Sequence, residues 1–117
     1  MKLRLHAKSL RLRLSQSEVT RLGEVGRVED SIEFSPGSEL LYALETGAAS
    51  SVTATFDNAN IRVVLPMPMA KHWIESDQTG IEAATGSLKL LIEKDFQCLH
   101  REPEVGEDPF PNPLATT

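Results

Sequence analysis

The sequence predicts an α+β protein: a mostly antiparallel curved sheet or half-barrel with two short helices, in the order β-α-β-β-β-β-α-β-β. Three observations predict it. Short runs of alternating apolar and polar residues recur from Leu10–Leu14 to Leu88–Lys94, the period of half-buried strands. Helix start signals occur after Leu14 and again around Pro66–Pro68. The pattern of strand, short helix, glycine and two strands also occurs twice, an internal repeat with an offset of about 50 residues and slight side-chain identity.

The elements follow in order. Leu3 and Leu5 alternate with Lys2 and Arg4, and Leu10, Leu12 and Leu14 alternate with Arg11 and Arg13. The phase slips at His6-Ala7-Lys8-Ser9. A two-residue hairpin there would set Arg4 opposite Arg11 and Lys2 opposite Arg13, which is unfavourable. Ala-Lys also lacks the residues that such turns prefer. One long strand with a bulge is therefore favoured over the hairpin. Ser15 then caps a helix over roughly residues 16 to 24, with Glu18 completing a capping box and Leu14 and Val19 at the staple positions. Val19 and Leu22 form its buried stripe, which Val25 would extend, and Gly23 or Gly26 ends it.

Strands follow at Val28–Phe34 and at Leu40–Glu45, the second apolar on both faces and so central in its sheet. Val52–Phe56 and Ile61–Leu65 pair through Asp57-Asn58-Ala59-Asn60. The second helix opens at Pro66-Met67-Pro68, since proline fits a first helical turn. Its apolar face joins Met69 to Trp73 and Ala70 to Ile74. The helix stops near Glu75 or Ser76. Ile81–Ala84 and Leu88–Lys94 are the last strands.

Length and composition bound the rest. A chain of 117 residues with 40% hydrophobic and 25% charged residues is one ordinary globular domain. The expected division is a single domain over residues 1–100 and an acidic, proline-rich tail over 101–117, with Phe110 between Pro109 and Pro111 as its one large anchor. A net charge of −5 disfavours nucleic acid as a partner. Lys2, Arg4, Lys8, Arg11 and Arg13 nevertheless crowd the start, while Glu102, Glu104, Glu107 and Asp108 crowd the end. The single cysteine, Cys98, excludes an intramolecular disulfide and points to a reducing, cytoplasmic compartment. No apolar run is long enough to cross a membrane by a helix.

Several side chains carry candidate chemistry. Arg11 and Arg13 project from one strand face, where they would pair with acids such as Glu33 or Glu93, or bind a small anionic ligand or the acidic tail. Asp77, near a helix C-terminus where the dipole disfavours it, is read first as an Asx-turn residue onto Thr79 or Gly80, and otherwise as a binding residue or an acid/base partner of His72. Asp95, Cys98 and His100 are ligand types suited to zinc, but their spacing matches no usual zinc motif. No cofactor is otherwise expected. Cys98 lacks an adjacent helix N-terminus to activate it. There is no phosphate loop, nucleophile elbow or HExxH, so no catalytic residue is assigned.

Three stretches carry a family likeness: Ser9-Leu10-Arg11-Leu12-Arg13-Leu14 leading into Ser17-Glu18-Val19; Ser76-Asp77-Gln78-Thr79-Gly80; and Glu93-Lys94-Asp95-Phe96-Gln97-Cys98-Leu99 with Phe110-Pro111-Asn112-Pro113. Together they resemble a family of short bacterial proteins known only as a domain of unknown function. The resemblance spans nearly the whole chain. It implies a stand-alone bacterial protein and supplies no reaction, ligand or site residue. Gly-Asn is expected in relatives at the Ala7-Lys8 position, which favours the hairpin there. The functional expectation is a non-enzymatic binding or assembly module, with self-association into a homodimer, through exchanged tails, as one form. The alternative is a small metal-binding protein or enzyme built on Asp95, Cys98 and His100.

Overall fold

The computed structural model describes residues 1–95. Its elements are β1 (Lys2–His6), β2 (Ser9–Leu14), α1 (Gln16–Val25), β3 (Arg27–Ser35), β4 (Ser38–Gly47), β5 (Thr53–Asp57), β6 (Asn60–Pro66), α2 (Met67–Glu75), β7 (Gly80–Thr85) and β8 (Leu88–Lys94). The strands form two four-stranded sheets. Sheet A has the order β1-β2-β8-β7, and sheet B the order β3-β4-β6-β5. Each sheet is two antiparallel hairpins joined through one central parallel pair, β2 with β8 or β4 with β6. The α+β class, the mostly antiparallel pairing and the two short helices are as the sequence predicts.

The N-terminal segment departs from the favoured reading. It is a hairpin, not one bulged strand: Leu5 pairs with Leu10 and Leu3 with Leu12 across a turn at Ala7-Lys8. Ala7 takes the positive φ, 50°, that the turn requires. The like-charged pairs Arg4–Arg11 and Lys2–Arg13 form as well. Two gains offset them. Folding back packs Leu3 against the core on the face of the buried Leu10 and Leu12, while Leu5 on the same face stays exposed. It also pairs the free edge of β2, whose other edge is taken by β8. An unpaired backbone there would leave a row of donors and acceptors without partners.

The hairpin also completes the internal repetition. The chain reads hairpin, helix, hairpin twice: β1-β2-α1-β3-β4 and then β5-β6-α2-β7-β8. The halves exchange hairpins, since the first hairpin of one half pairs with the last hairpin of the other in each sheet. Core positions correspond at a spacing of 51 residues: Leu10, Leu12 and Leu14 with Ile61, Val63 and Leu65, then Val19 and Leu22 with Ala70 and Trp73. The turns correspond too, Ala7-Lys8 with Asn58-Ala59, where Asn58 and Ala59 both have positive φ.

One apolar cluster joins the inner faces of the two sheets to both helices. Alternation along each strand places Leu10, Leu12, Leu14, Leu90 and Ile92 from sheet A in the core, together with Tyr42, Leu44, Ile61, Val63 and Leu65 from sheet B. The α1 start is as expected: the Glu18 N–H donates to Ser15 Oγ at 3.3 Å and the Ser15 N–H donates to Glu18 Oε1 at 2.8 Å. Gly26, at φ 85°, ends it. Val25 does not extend the buried stripe; it is 65% exposed. In α2 the buried side chains are Ala70 and Trp73. Met67 and Met69 are exposed, so Met69 does not join Trp73 on the buried face. β4 is central in its sheet, as its two-sided apolarity predicts. Cys98, His100 and the tail over 101–117 with Phe110 lie outside the described residues.

Candidate functional site

The alternation that buries Leu10, Leu12 and Leu14 turns Arg11 and Arg13 to the outer face of sheet A. The strand register then lines up three cross-sheet rows. Lys2, Arg13, Glu93 and Gly80 form the first, Arg4, Arg11, Leu91 and Glu82 the second, and His6, Ser9, Lys89 and Ala84 the third. These rows gather five cations, Lys2, Arg4, Arg11, Arg13 and Lys89, against two acids, Glu82 and Glu93, and Asp95 adds a third acid beside Lys2 at the end of β8.

Glu93 is the acid that serves the arginines. Arg11 Nε and Arg13 Nε each lie 3.5 Å from the same Glu93 Oε1. One carboxylate is therefore shared by two guanidinium groups at the long edge of hydrogen-bonding range. Arg11 Nε is buried and has no hydrogen-bond partner among the described residues. Glu33, the other expected partner, lies on sheet B. Lys2 Nζ pairs with Asp95 Oδ2 at 3.0 Å, and Lys89 Nζ approaches Glu82 Oε2 at 3.9 Å. Arg4 has no ion pair among the described residues.

Of the expected site residues, Arg11, Arg13 and Asp95 come together at this face. The Asp95 N–H donates to Leu14 O at 2.8 Å, which fixes the end of β8 beside β2. A shallow notch there is lined by Arg13, Thr79, Glu93, Lys94 and Asp95. Asp77 is elsewhere, exposed in the connection from α2 to β7. The side-chain hydrogen bonds in that turn come from Ser76 and Gln78, not from an Asx turn at Asp77: the Gln78 N–H donates to Ser76 Oγ at 3.1 Å, and Gln78 Nε2 donates to Gly80 O at 2.8 Å. Among the described residues no group of three or more His, Cys, Asp and Glu could hold a metal ion. Asp95 is engaged by Lys2, and the other two expected zinc ligands, Cys98 and His100, lie outside the described residues.

The outer face of sheet B has the opposite sign. Its rows join Arg27 to Glu45, Glu29 to Ala43 and Arg62, Ser31 to Leu41, Asn60 and Asp57, and Glu33 to Glu39. Five acids, Glu29, Glu33, Glu39, Glu45 and Asp57, face two cations. Glu45 sits between Arg27 and Arg62 and accepts from Arg62 Nε at 2.9 Å. The Arg62 hydrogen bond, opposed by partial burial and aided by both guanidinium charges, holds the Glu45 carboxyl below its usual value. Arg27 Nε donates to Glu29 Oε1 at 2.9 Å. Glu33, Glu39 and Asp57 have no ion pair among the described residues. Sequence reading missed this acidic face, because the five acids are scattered over three strands and only the register collects them.

A third polar cluster lies at the seam between the sheets. The Met1 amine pairs with Glu18 and, at 3.2 Å, with Asp30, and Tyr42 Oη donates to Met1 O at 2.9 Å. Partial burial opposes ionisation of Glu18, but hydrogen bonds from the Met1 amine and Ser15 outweigh it and lower its pKa.

The fold and face define a two-sheet α+β protein of hairpin–helix–hairpin halves, with one basic and one acidic outer surface. The chain belongs to DUF7009, a family of unknown function, which it matches over residues 1–114. No curated protein and no solved structure matches it. No helix among the described residues is long and apolar enough to cross a membrane.

Proposed function

We propose that this protein is a non-enzymatic binding module whose contact surface is the outer face of sheet A, and that its partner is an acidic protein surface or segment. The observation that carries the reading is the excess of cations on that face, in which Arg11 and Arg13 share the single carboxylate of Glu93. Like charges held directly opposite one another, Arg4 with Arg11 and Lys2 with Arg13, are destabilising within one chain. An external anion offsets that repulsion. Glu82 and Glu93 interrupt the cations, and no aromatic side chain stands among them. An unbroken phosphate backbone fits such a surface poorly, whereas an acidic protein surface with spaced carboxylates fits it well. The single cysteine supports a reducing, cytoplasmic setting.

Calorimetric titration with poly-glutamate and with duplex DNA tests this. Poly-glutamate binds more tightly than DNA, and the affinity falls with salt. The double variant Arg11→Glu, Arg13→Glu loses binding while its melting temperature stays within a few degrees. Equal binding by that variant contradicts the assignment.

A further inference from the structure

We infer that the acidic partner of the basic face is a second copy of this chain, which presents the outer face of its sheet B in a head-to-tail stack. This rests on the reading of the basic face given above and names its partner. The internal repetition makes the two outer faces equivalent in backbone: each is a sheet of four strands built from two hairpins around a parallel pair. The helices contribute Val19, Leu22, Ala70 and Trp73 to the core between the sheets. The outer side chains are left mostly exposed.

The faces differ in charge. Sheet A presents five cations against three acids, Asp95 included, and sheet B five acids against two cations. Each face also holds like charges in direct cross-strand register, Arg4 with Arg11 and Lys2 with Arg13 on one, Glu33 with Glu39 on the other. Two like faces brought together multiply that repulsion. An A face on a B face relieves both sets at once. Such a contact is heterologous, so each copy keeps one face open and the contact repeats into a chain or ring. Four strands at about 4.8 Å spacing and about five residues of strand make each face only about 20 by 17 Å. An interface this small belongs to the weak, transient class. Self-association is therefore concentration-dependent and sensitive to salt.

Sedimentation of the full chain tests the inference, at concentrations up to about 1 mM and at about 10 mM and about 1 M salt, where the Debye length falls from about 30 to about 3 Å. The expected result is a mass that rises with concentration at low salt and returns to the monomer at high salt. Two charge-reversed variants sharpen it. Arg4→Glu with Arg13→Glu makes both faces acidic, and Glu33→Lys with Glu39→Lys, by reversing sheet B, makes both faces basic. Circular dichroism checks that each is folded. Each variant alone is monomeric, and an equimolar mixture associates again. A monomeric wild type at low salt, a Glu33→Lys, Glu39→Lys variant that associates like the wild type, or a mixture that stays monomeric overturns the inference. Association that appears only when residues 101–117 are removed also overturns it, and names the chain's own acidic segment as the occupant. A monomer that still binds poly-glutamate leaves the basic-face reading standing. A monomer that binds none removes both.

Discussion

Trp73 is the residue on which the second half of the core closes. Its side chain is fully buried, and its Nε1 has no hydrogen-bond partner among the described residues. Lys94 Nζ stands 5.7 Å from the ring centroid and donates to Ser76 O at 2.8 Å, which ties the end of β8 to the end of α2. Trp73→Ala should destabilise by about 3–5 kcal/mol, the usual cost of emptying a large core site. Urea denaturation measures it, and a change under about 1 kcal/mol would mean that α2 is not packed as described. Glu45 supplies a pH dependence. Its carboxyl is held below the ordinary 4.5 by Arg62 and then Arg27. A group depressed in the folded state contributes stability fully above its unfolded pKa, and that contribution is lost as pH falls through its folded pKa. Glu45→Gln should therefore lower the melting temperature at neutral pH and flatten its fall below about pH 4.5. Unchanged acid sensitivity in the variant would show that Arg62 and Arg27 do not stabilise the carboxylate.

The elements test the local rules. Ser15 accepts the Glu18 N–H and Glu18 returns the bond to the Ser15 N–H, so Ser15→Ala should cost about 1 kcal/mol of stability by chemical denaturation. Ala7 holds a positive φ that disfavours a side chain, so Ala7→Gly should stabilise by about 1 kcal/mol or slightly less. A loss of stability on that change would contradict the hairpin. This turn also shows why the N-terminus was illegible in part. The leucine alternation was plain, but Ala-Lys carries no turn signal, and the like-charged pairs argue against the register that forms. The acids that temper those pairs, Glu93 and Asp95, arrive from β8, about eighty residues later in the chain. Local patterning does not contain that parallel pairing. By contrast, the capping box, the burial of Val19 and Leu22, the central position of β4 and the pairing of β5 with β6 were all legible, because each depends on neighbours within a few residues or on one hairpin.

At the scale of the whole molecule, repetition in the core and divergence on the surface are the organising features. The inner positions Leu10, Leu12 and Leu14 match Ile61, Val63 and Leu65 in burial and spacing. The outer positions between them are Arg11 and Arg13 in β2 and Arg62 and Val64 in β6, so only one of the two pairs matches in charge. Packing constrains the first set and leaves the second to function. The basic half of the surface was visible in the sequence as the cluster from Lys2 to Arg13, and Glu93 was among its expected partners. Lys89 and the whole acidic face were not, since their membership depends on which strands lie side by side. Native mass spectrometry addresses the remaining chemical alternative: the binding-module reading predicts no stoichiometric zinc, and a bound zinc lost in Cys98→Ser would favour the site on Asp95, Cys98 and His100 instead.

The most direct measurement of the central claim is a nuclear magnetic resonance titration of isotope-labelled protein with poly-glutamate. The basic-face account predicts shifts concentrated on the amides of β1, β2 and β8, centred on Arg4, Arg11 and Arg13 and suppressed by salt. Shifts centred on β3, β4 and β6 instead, or none at concentrations up to about 1 mM, where contacts worth about 4 kcal/mol are populated, would contradict it.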